Sequence, residues 1–577
     1  MKKKNISTII SVIFAIVSYI SLIYTGNIKS YDFISLIIFC FICIIFLKYF
    51  KLSRKNKDLI LISLFLSFLL VFGSLCLELI DSRNISVFNQ LLTIKSIITL
   101  IGNFGFIYTI LTFLIPKLLK LSITTEKPKK LRSKKVFLIS LIILIICWLP
   151  YFLSFFPATI SPDGMGIFYK SQSHLVMMDN HTFAYAIFLR VCCIIGEFLF
   201  NSTDGVLATC TFIQLFLMAT IFASLITFLY KKNINKKVII GVMIYFAINP
   251  LFGYYSVVMW KDVLFSCFIV LLTISCYNMI EHRDKLTKKD YISFILSSFL
   301  VIFFRNNAIY MYFILAVITF IFFRKYYKQF ILIFILIIGT YFVVKGPVFD
   351  YFNIYKSGSA EYLAMPMQQI GRMVYKGVDL TKKEEKMISK VLDVDIMKDA
   401  YNPRWSDGIK FNKDFNIRPF NENKGDYLKL WLELVVKYPK VALEAYSIST
   451  LGYWYPNIVD RAYENSIVEN NYGIKMKPKA PQTIQKYVAF MGRRDIPVVS
   501  LLVSIGLMMW LVFLSIYIII KNKKYNYLYI YVPVIGTWLT LLIASPVYNE
   551  VRYIYSLFTT LPLLLLCPYM IKDKNNK

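Results

Sequence analysis

Between Phe156 and His181 a polar stretch, FPATISPDGMGIFYKSQSHLVMMDNH, interrupts two long apolar runs and carries two of the chain's three histidines together with Asp163 and Asp179. Asp163 sits in Ser-Pro-Asp-Gly, a composition that favours a tight turn. Such a turn would hold a carboxylate at a fixed place, where it could act as a general base or, with Asp179 or His181, ligate a divalent metal. The plain alternative is an aspartate that caps its own turn. His181 follows Asp179 and Asn180 and opens an apolar stretch. It could ligate a metal, orient a carboxylate or donate to an anion, or it could stand in the first turn of a helix capped by Asp179 or Asn180. His174 carries less.

Three further motifs pair charge with apolar surroundings. Trp260-Lys261-Asp262 opens an apolar run; a lysine there can snorkel, but an acid at membrane depth is costly and generally faces a site or a partner. Phe304-Arg305-Asn306-Asn307 sets a guanidinium beside two amides, a donor cluster suited to a phosphate or carboxylate, or else a hairpin turn in interfacial water. Arg552 closes SPVYNEVRY, with Glu550 at hand as an ion-pair partner. Arg305 and Arg552 together could neutralise a lipid phosphate. Weaker candidates lie between Asp350 and Pro497: Gln368 and Arg372 in MPMQQIGR, Arg404 and Asp407 in NPRWSDGIK, and Trp454 in LGYWYP. An aromatic there could stack on a sugar or belong to an interfacial belt.

What positions these residues is a membrane protein. The 577 residues are 58% hydrophobic and 17% aromatic, a profile foreign to a soluble chain of this length. Apolar runs recur at roughly the 20 residues a helix needs to cross a bilayer, without strand-like alternation, and predict about 14 spans. The excess of 65 Lys and Arg over 33 Asp and Glu does not indicate nucleic acid, because the bases sit in short loops. Lys48–Lys57, Lys117–Lys135, Lys231–Lys237, Arg283–Lys289 and Lys521–Lys524 follow the positive-inside pattern. With those loops cytoplasmic, and with 182–200 lying along the outer interface as an amphipathic helix, every candidate above falls on the outer side or at its membrane edge. Ten cysteines, none within 350–497, suggest neither a disulfide framework nor a cysteine zinc site. The apolar run after Lys2–Lys4 reads as an uncleaved first span.

The expected fold is thus an all-α polytopic membrane protein with an external, mostly helical domain. It divides into N-terminal membrane helices (1–135), a membrane core (136–348) with a first external loop at 156–205, the external domain (349–497) and C-terminal membrane helices (498–577).

The order of motifs, from Asp163 in its Pro-Asp setting and a downstream Asn-His through Trp-Lys-Asp, Arg-Asn-Asn, Met-Pro-Met-Gln-Gln-Ile and Gly-Tyr-Trp-Tyr-Pro to Ser-Pro with Arg-Tyr, resembles a group of bacterial multi-pass proteins that look like a branch of the GT-C glycosyltransferase superfamily. It extends from Leu149 to Tyr555; the first four spans have no counterpart in it. The resemblance implies a GT-C-like fold in the bacterial plasma membrane with an extracytoplasmic active face, a polyprenyl-phosphate-type sugar donor and a cell-envelope glycan or lipid acceptor. It implies Asp163 as the catalytic acid or base of the first external loop, with Lys261, Arg305 and Arg552 toward the donor phosphate and inversion at the sugar. Asp179 is well separated from Asp163, where the superfamily often pairs two acids, so the choice of base and the use of a divalent cation stay open. Two other classes fit a polytopic chain: a transporter or flippase of lipid-linked saccharides, which would want polar residues near the midplane, and a non-catalytic envelope-assembly scaffold using the 350–497 surface.

Overall fold

The structure, a computed structural model, describes residues 2–25, 33–49, 56–125, 131–172, 179, 182–355, 358, 360, 363–458, 467, 469–470, 473–491, 500–544 and 547–571. Among these the chain is helical, and β pairing is limited to three isolated bridges. Four long helices open it, α1 (Lys2–Tyr24), α2 (Phe33–Tyr49), α3 (Lys57–Glu78) and, after a short helical turn at Val87–Leu91, α4 (Ile94–Leu119), packed around Ala15, Leu22, Phe46, Leu59 and Tyr108. The largest core is built by α5 (Ser133–Ser154), α6 (Pro162–Gln172), α7 (Phe183–Leu199), α8 (Thr203–Lys231), α9 (Lys236–Ile248), α10 (Lys261–Glu281), α11 (Lys288–Phe304), α12 (Ala308–Phe322) and α13 (Tyr327–Val343), with three C-terminal helices, α17 (Ile505–Lys521), α18 (Val532–Ala544) and α19 (Tyr555–Met570). The polar segment between them holds α14 (Ala364–Lys376), α15 (Lys424–Lys437) and α16 (Pro439–Ser449) around its own apolar cluster.

Among the described residues eight helices are long and apolar enough to cross a membrane, and four more apolar helices are shorter. The expected count of about 14 is therefore reached only in part. The expected spans at 238–252 and 291–304 are helices of 13 and 17 residues, the second opening on Lys288, Lys289 and Asp290. Helix α8, with 29 residues, is about 44 Å long by the rise of an α-helix, longer than a hydrocarbon core of about 30 Å. Helix α7 folds back on it as a hairpin: Tyr185, Leu189, Cys193 and Gly196 face inward, while Ile187, Val191, Ile194 and Phe198 are exposed.

The bundle has two chemically distinct ends. At one, the basic loops meet: Lys232 pairs with Glu281, Lys325 Nζ donates to the Asp284 carbonyl at 3.0 Å, and the Asn235 amide donates to the Ile123 carbonyl at 2.7 Å. Asp163, Lys261, Asp262, Arg305 and Arg552 gather at the other.

Candidate anion site at the helix N-termini

Ser161-Pro162-Asp163-Gly164 starts a helix instead of closing a turn. Ser161 Oγ accepts the Gly164 N–H at 3.3 Å as an N-cap would, and Pro162 fills the first helical position, where its missing N–H is not needed. The residues are those of a turn; the run Met165–Gln172 that follows carries the helix on. Asp163 is thereby fixed in the first turn of α6. A β-carbon on Gly164 would stand 2.7 Å from the Met259 carbonyl oxygen, so only glycine lets α6 seat so closely on the next motif.

That seating aligns two loops. The Thr159 amide donates to the Val257 carbonyl and the Met259 amide to the Thr159 carbonyl, both at 3.1 Å. From the other side Gln214 of α8 donates its side-chain amide to the carbonyls of Tyr255, Ser256 and Val258 at 3.3, 3.2 and 2.8 Å. The clamped strand delivers Trp260, whose Nε1 donates to Ser161 Oγ at 2.7 Å, and then Lys261 and Asp262 at the head of α10.

Arg305 ends α11 in an extended conformation and turns the chain into α12. Its guanidinium is buried, 3.2 Å from Asp262 Oδ1, and donates to the Tyr553 carbonyl while lying over the rings of Phe265 and Tyr553. Arg552, in the 3₁₀ turn before α19, stands 3.5 Å from Asp163 Oδ2 and 3.7 Å from Glu550 Oε1, over Trp260 and Tyr553. Lys261 lies within electrostatic reach of Asp163, Asp262, Arg305 and Arg552, yet among the described residues its ammonium forms no hydrogen bond or ion pair. The Arg552 Nε and the Tyr453 hydroxyl are also buried without a hydrogen-bond partner among the described residues. Burial, and after it the Glu550 carboxylate, push the Tyr453 phenol well above its ordinary pKa, so it is a standing O–H donor at neutral pH. The positive ends of α6, α10, α12 and α19 thus meet around three cations, and the Asp163 side chain is 50% exposed beside them.

Asp179 and Asn306 form a neighbouring clasp. Lys345 pairs with Asp179 and donates to Asn306 Oδ1 at 2.8 Å, while Asn306 Nδ2 donates to the Asp179 carbonyl at 2.8 Å. Asn307 takes the N-cap position of α12. Asp163 and Asp179 therefore face different cations, and among the described residues no group of three or more metal-ligating side chains forms. His174, Asn180 and His181 lie outside the described residues.

The structure does not bring the candidates of the polar segment to Asp163. Arg372 is 0% exposed, ion-paired with Glu444 and donating to the Ile80 and Leu79 carbonyls at 2.7 and 3.4 Å. Gln368 is buried and donates to the Asn402 carbonyl. Trp454 stacks on Phe72 of α3, Arg404 pairs with Asp81, and Asp407 pairs at the surface with Lys410. The residue of that segment that does reach the cluster is Tyr453, one position before the tryptophan. Lys345 was the other omission; its signal is a lysine inside an apolar run, away from every basic loop.

Residues 152–577 match the profile of one protein family. The chain belongs to DUF6020, a family of unknown function. Every residue of the cluster lies inside the DUF6020 range, and α1–α4 lie outside it. No curated protein and no solved structure matches the chain.

Proposed function

We propose that the protein is a membrane glycosyltransferase of GT-C type that moves a sugar from a polyprenyl-phosphate-type donor to a cell-envelope glycan or lipid acceptor at the extracytoplasmic face of the plasma membrane. The observation that carries this reading is the meeting of a half-exposed carboxylate, Asp163, with Lys261 and Arg552, whose donor capacity is incompletely used, at the positive ends of four helices. A lipid phosphate supplies the oxygens such donors lack, and helix N-termini favour it further.

In this reading the acceptor hydroxyl gives its proton to Asp163 as its oxygen bonds to the anomeric carbon, and the bond from that carbon to the phosphate oxygen breaks. Lys261 and Arg552 take up the charge growing on the departing phosphate. Tyr453 adds an O–H donor. Arg305 and Asp262, buried against each other, hold the floor of the site and act as positioning residues. No step is routed through a metal.

The test is product formation by the purified protein from a matched lipid-linked sugar and acceptor. Asp163→Asn and Arg552→Ala are each expected to cut it at least ~10²-fold, the first with the fold intact because the side chain is half exposed; product at the unchanged rate from both variants would sink the mechanism.

A further inference from the structure

Helices α1–α4 lie outside the DUF6020 match, yet residues of the matched region are buried on them. Helix α14 lays three donors from one face, Arg372, Tyr375 and Lys376, onto the end of α3. Arg372 reaches the Ile80 carbonyl at 2.7 Å, Tyr375 Oη that of Asp81 at 2.9 Å, and Lys376 that of Ile85 at 2.9 Å. These carbonyls belong to the stretch that follows α3, whose last turn carries no base of its own, so the donors that tie this stretch down come from another part of the chain. Tyr455 and Asn457 both reach the Thr25 carbonyl at 3.4 Å, after α1.

A second line of contacts runs from α3 to the cluster. Asp81, just past α3, takes a bidentate ion pair from Arg404, Nη1 to Oδ1 at 3.2 Å and Nη2 to Oδ2 at 3.3 Å. The same guanidinium lies 5.7 Å from the Tyr548 ring centre, and the Arg404 carbonyl accepts the Tyr548 N–H at 2.9 Å. The Tyr548 carbonyl in turn accepts the Gly452 N–H at 2.7 Å. A β-carbon on Gly452 would stand 2.4 Å from Asn549 Oδ1, so only glycine leaves room for that side chain against the backbone here. Four residues after Tyr548 comes Arg552, on Asp163.

We propose that α1–α4 are a built-in brace for the stretch Tyr548–Tyr553, holding the Arg552 guanidinium in place through Asp81 and Arg404. The partner that fits the exposed flank of the DUF6020 region is thus the chain's own N-terminal helices, and Arg404 is a positioning residue. The brace is independent of the proposed reaction, and its test needs no substrate.

Hydrogen exchange of the full-length protein in detergent reads it directly. The Asp81 side chain is 64% exposed, so Asp81→Asn leaves folding intact. Asp81→Asn and Arg404→Met are each expected to raise exchange across Tyr548–Tyr553 about two- to fivefold, as loss of a partly exposed ion pair would. Arg404→Lys, which keeps the charge and loses the fork, should fall between them and the parent chain. A full-length chain carrying a protease site within 126–130 and cleaved after purification should elute as one complex. Unchanged exchange at Tyr548–Tyr553 in both variants, or separation of the cleaved pieces in mild detergent, would overturn the proposal.

Discussion

Two buried arginines in this molecule differ in what surrounds them. Arg372 has its Nε, Nη1 and Nη2 all bonded, to the Glu444 carboxylate and to the carbonyls of Ile80 and Leu79, and Lys376 shares the Glu444 carboxylate at 2.8 Å. Arg552 has carboxylates at 3.5 and 3.7 Å but leaves Nε without a hydrogen bond, beside a lysine with no direct partner among the described residues. A closed set of charges fixes two parts of a chain to each other, because removing one member strands another in a dry place. An open set has donors left over, and in a buried setting unused donors are tolerated where something else comes to use them. The first pattern belongs to the joint between α3 and the polar segment, the second to the site.

The sharpest break of this contrast is Asp163→Asn. If the open cluster does chemistry, turnover should fall by about 10²- to 10⁴-fold, the range a general base contributes, with the thermal midpoint unmoved because the side chain is half exposed. Retained turnover would reduce the open cluster to loose packing. Next in size is Arg372→Ala, whose loss should appear in stability: about 3–5 kcal/mol from breaking a buried pair, measured by denaturant or thermal unfolding in detergent. Arg372→Met with Glu444→Met and Lys376→Met should recover much of that, since it removes all three charges together. A stable Arg372→Ala protein with lost turnover would invert the two assignments. Smaller again is Lys261→Gln. A hydrogen bond to a charged group is worth roughly 1.5–3 kcal/mol, so affinity for a phosphate-bearing lipid in vesicles should weaken about 10- to 100-fold.

The sequence made the open cluster easier to find than the closed one. Lys261, Asp262, Arg305 and Arg552 stand out because each is an ionisable residue set against long apolar runs, and the cost of placing such groups there narrows the reasons for keeping them. Arg372 and Arg404 lie in a polar segment where arginine is unremarkable, and their partners are 292 and 323 residues away in sequence. Nothing local distinguishes an arginine that meets a ligand from one that caps a distant helix. Ser161–Gly164 misleads for a different reason, since N-cap serine and first-turn proline are also turn residues. In LGYWYP the tryptophan drew attention, but on a 3₁₀ turn adjacent side chains point apart: Trp454 goes to Phe72 and Tyr453 to the arginines. The apolar helices are legible because apolar length decides them, while α6 and the boundaries of α14–α16 are not; nor is the span count, because an expected span such as 238–252 is a helix of 13 residues, short of the length that crossing requires.

The closed pattern also recurs at the surface, where its effect should be smallest. Glu384 closes a capping box with Thr381, accepting the Thr381 N–H at 2.7 Å, and pairs with Lys437 at 3.1 Å. Partial burial pushes its carboxyl up, but the Thr381 N–H and the Lys437 ammonium outweigh it and hold the pKa below the ordinary glutamate value. A depressed folded pKa means stability that is complete above the unfolded value of about 4.3 and is lost as pH falls through the folded one. Hydrogen exchange of Lys382–Ser389 should therefore be flat at neutral pH and, once corrected for intrinsic exchange, rise below about pH 4, by no more than the roughly 1 kcal/mol of a cap. Glu384→Gln should remove that dependence. If it persists unchanged in the variant, the acid sensitivity lies elsewhere in the segment, and the closed set at Glu384 contributes nothing measurable to its helix.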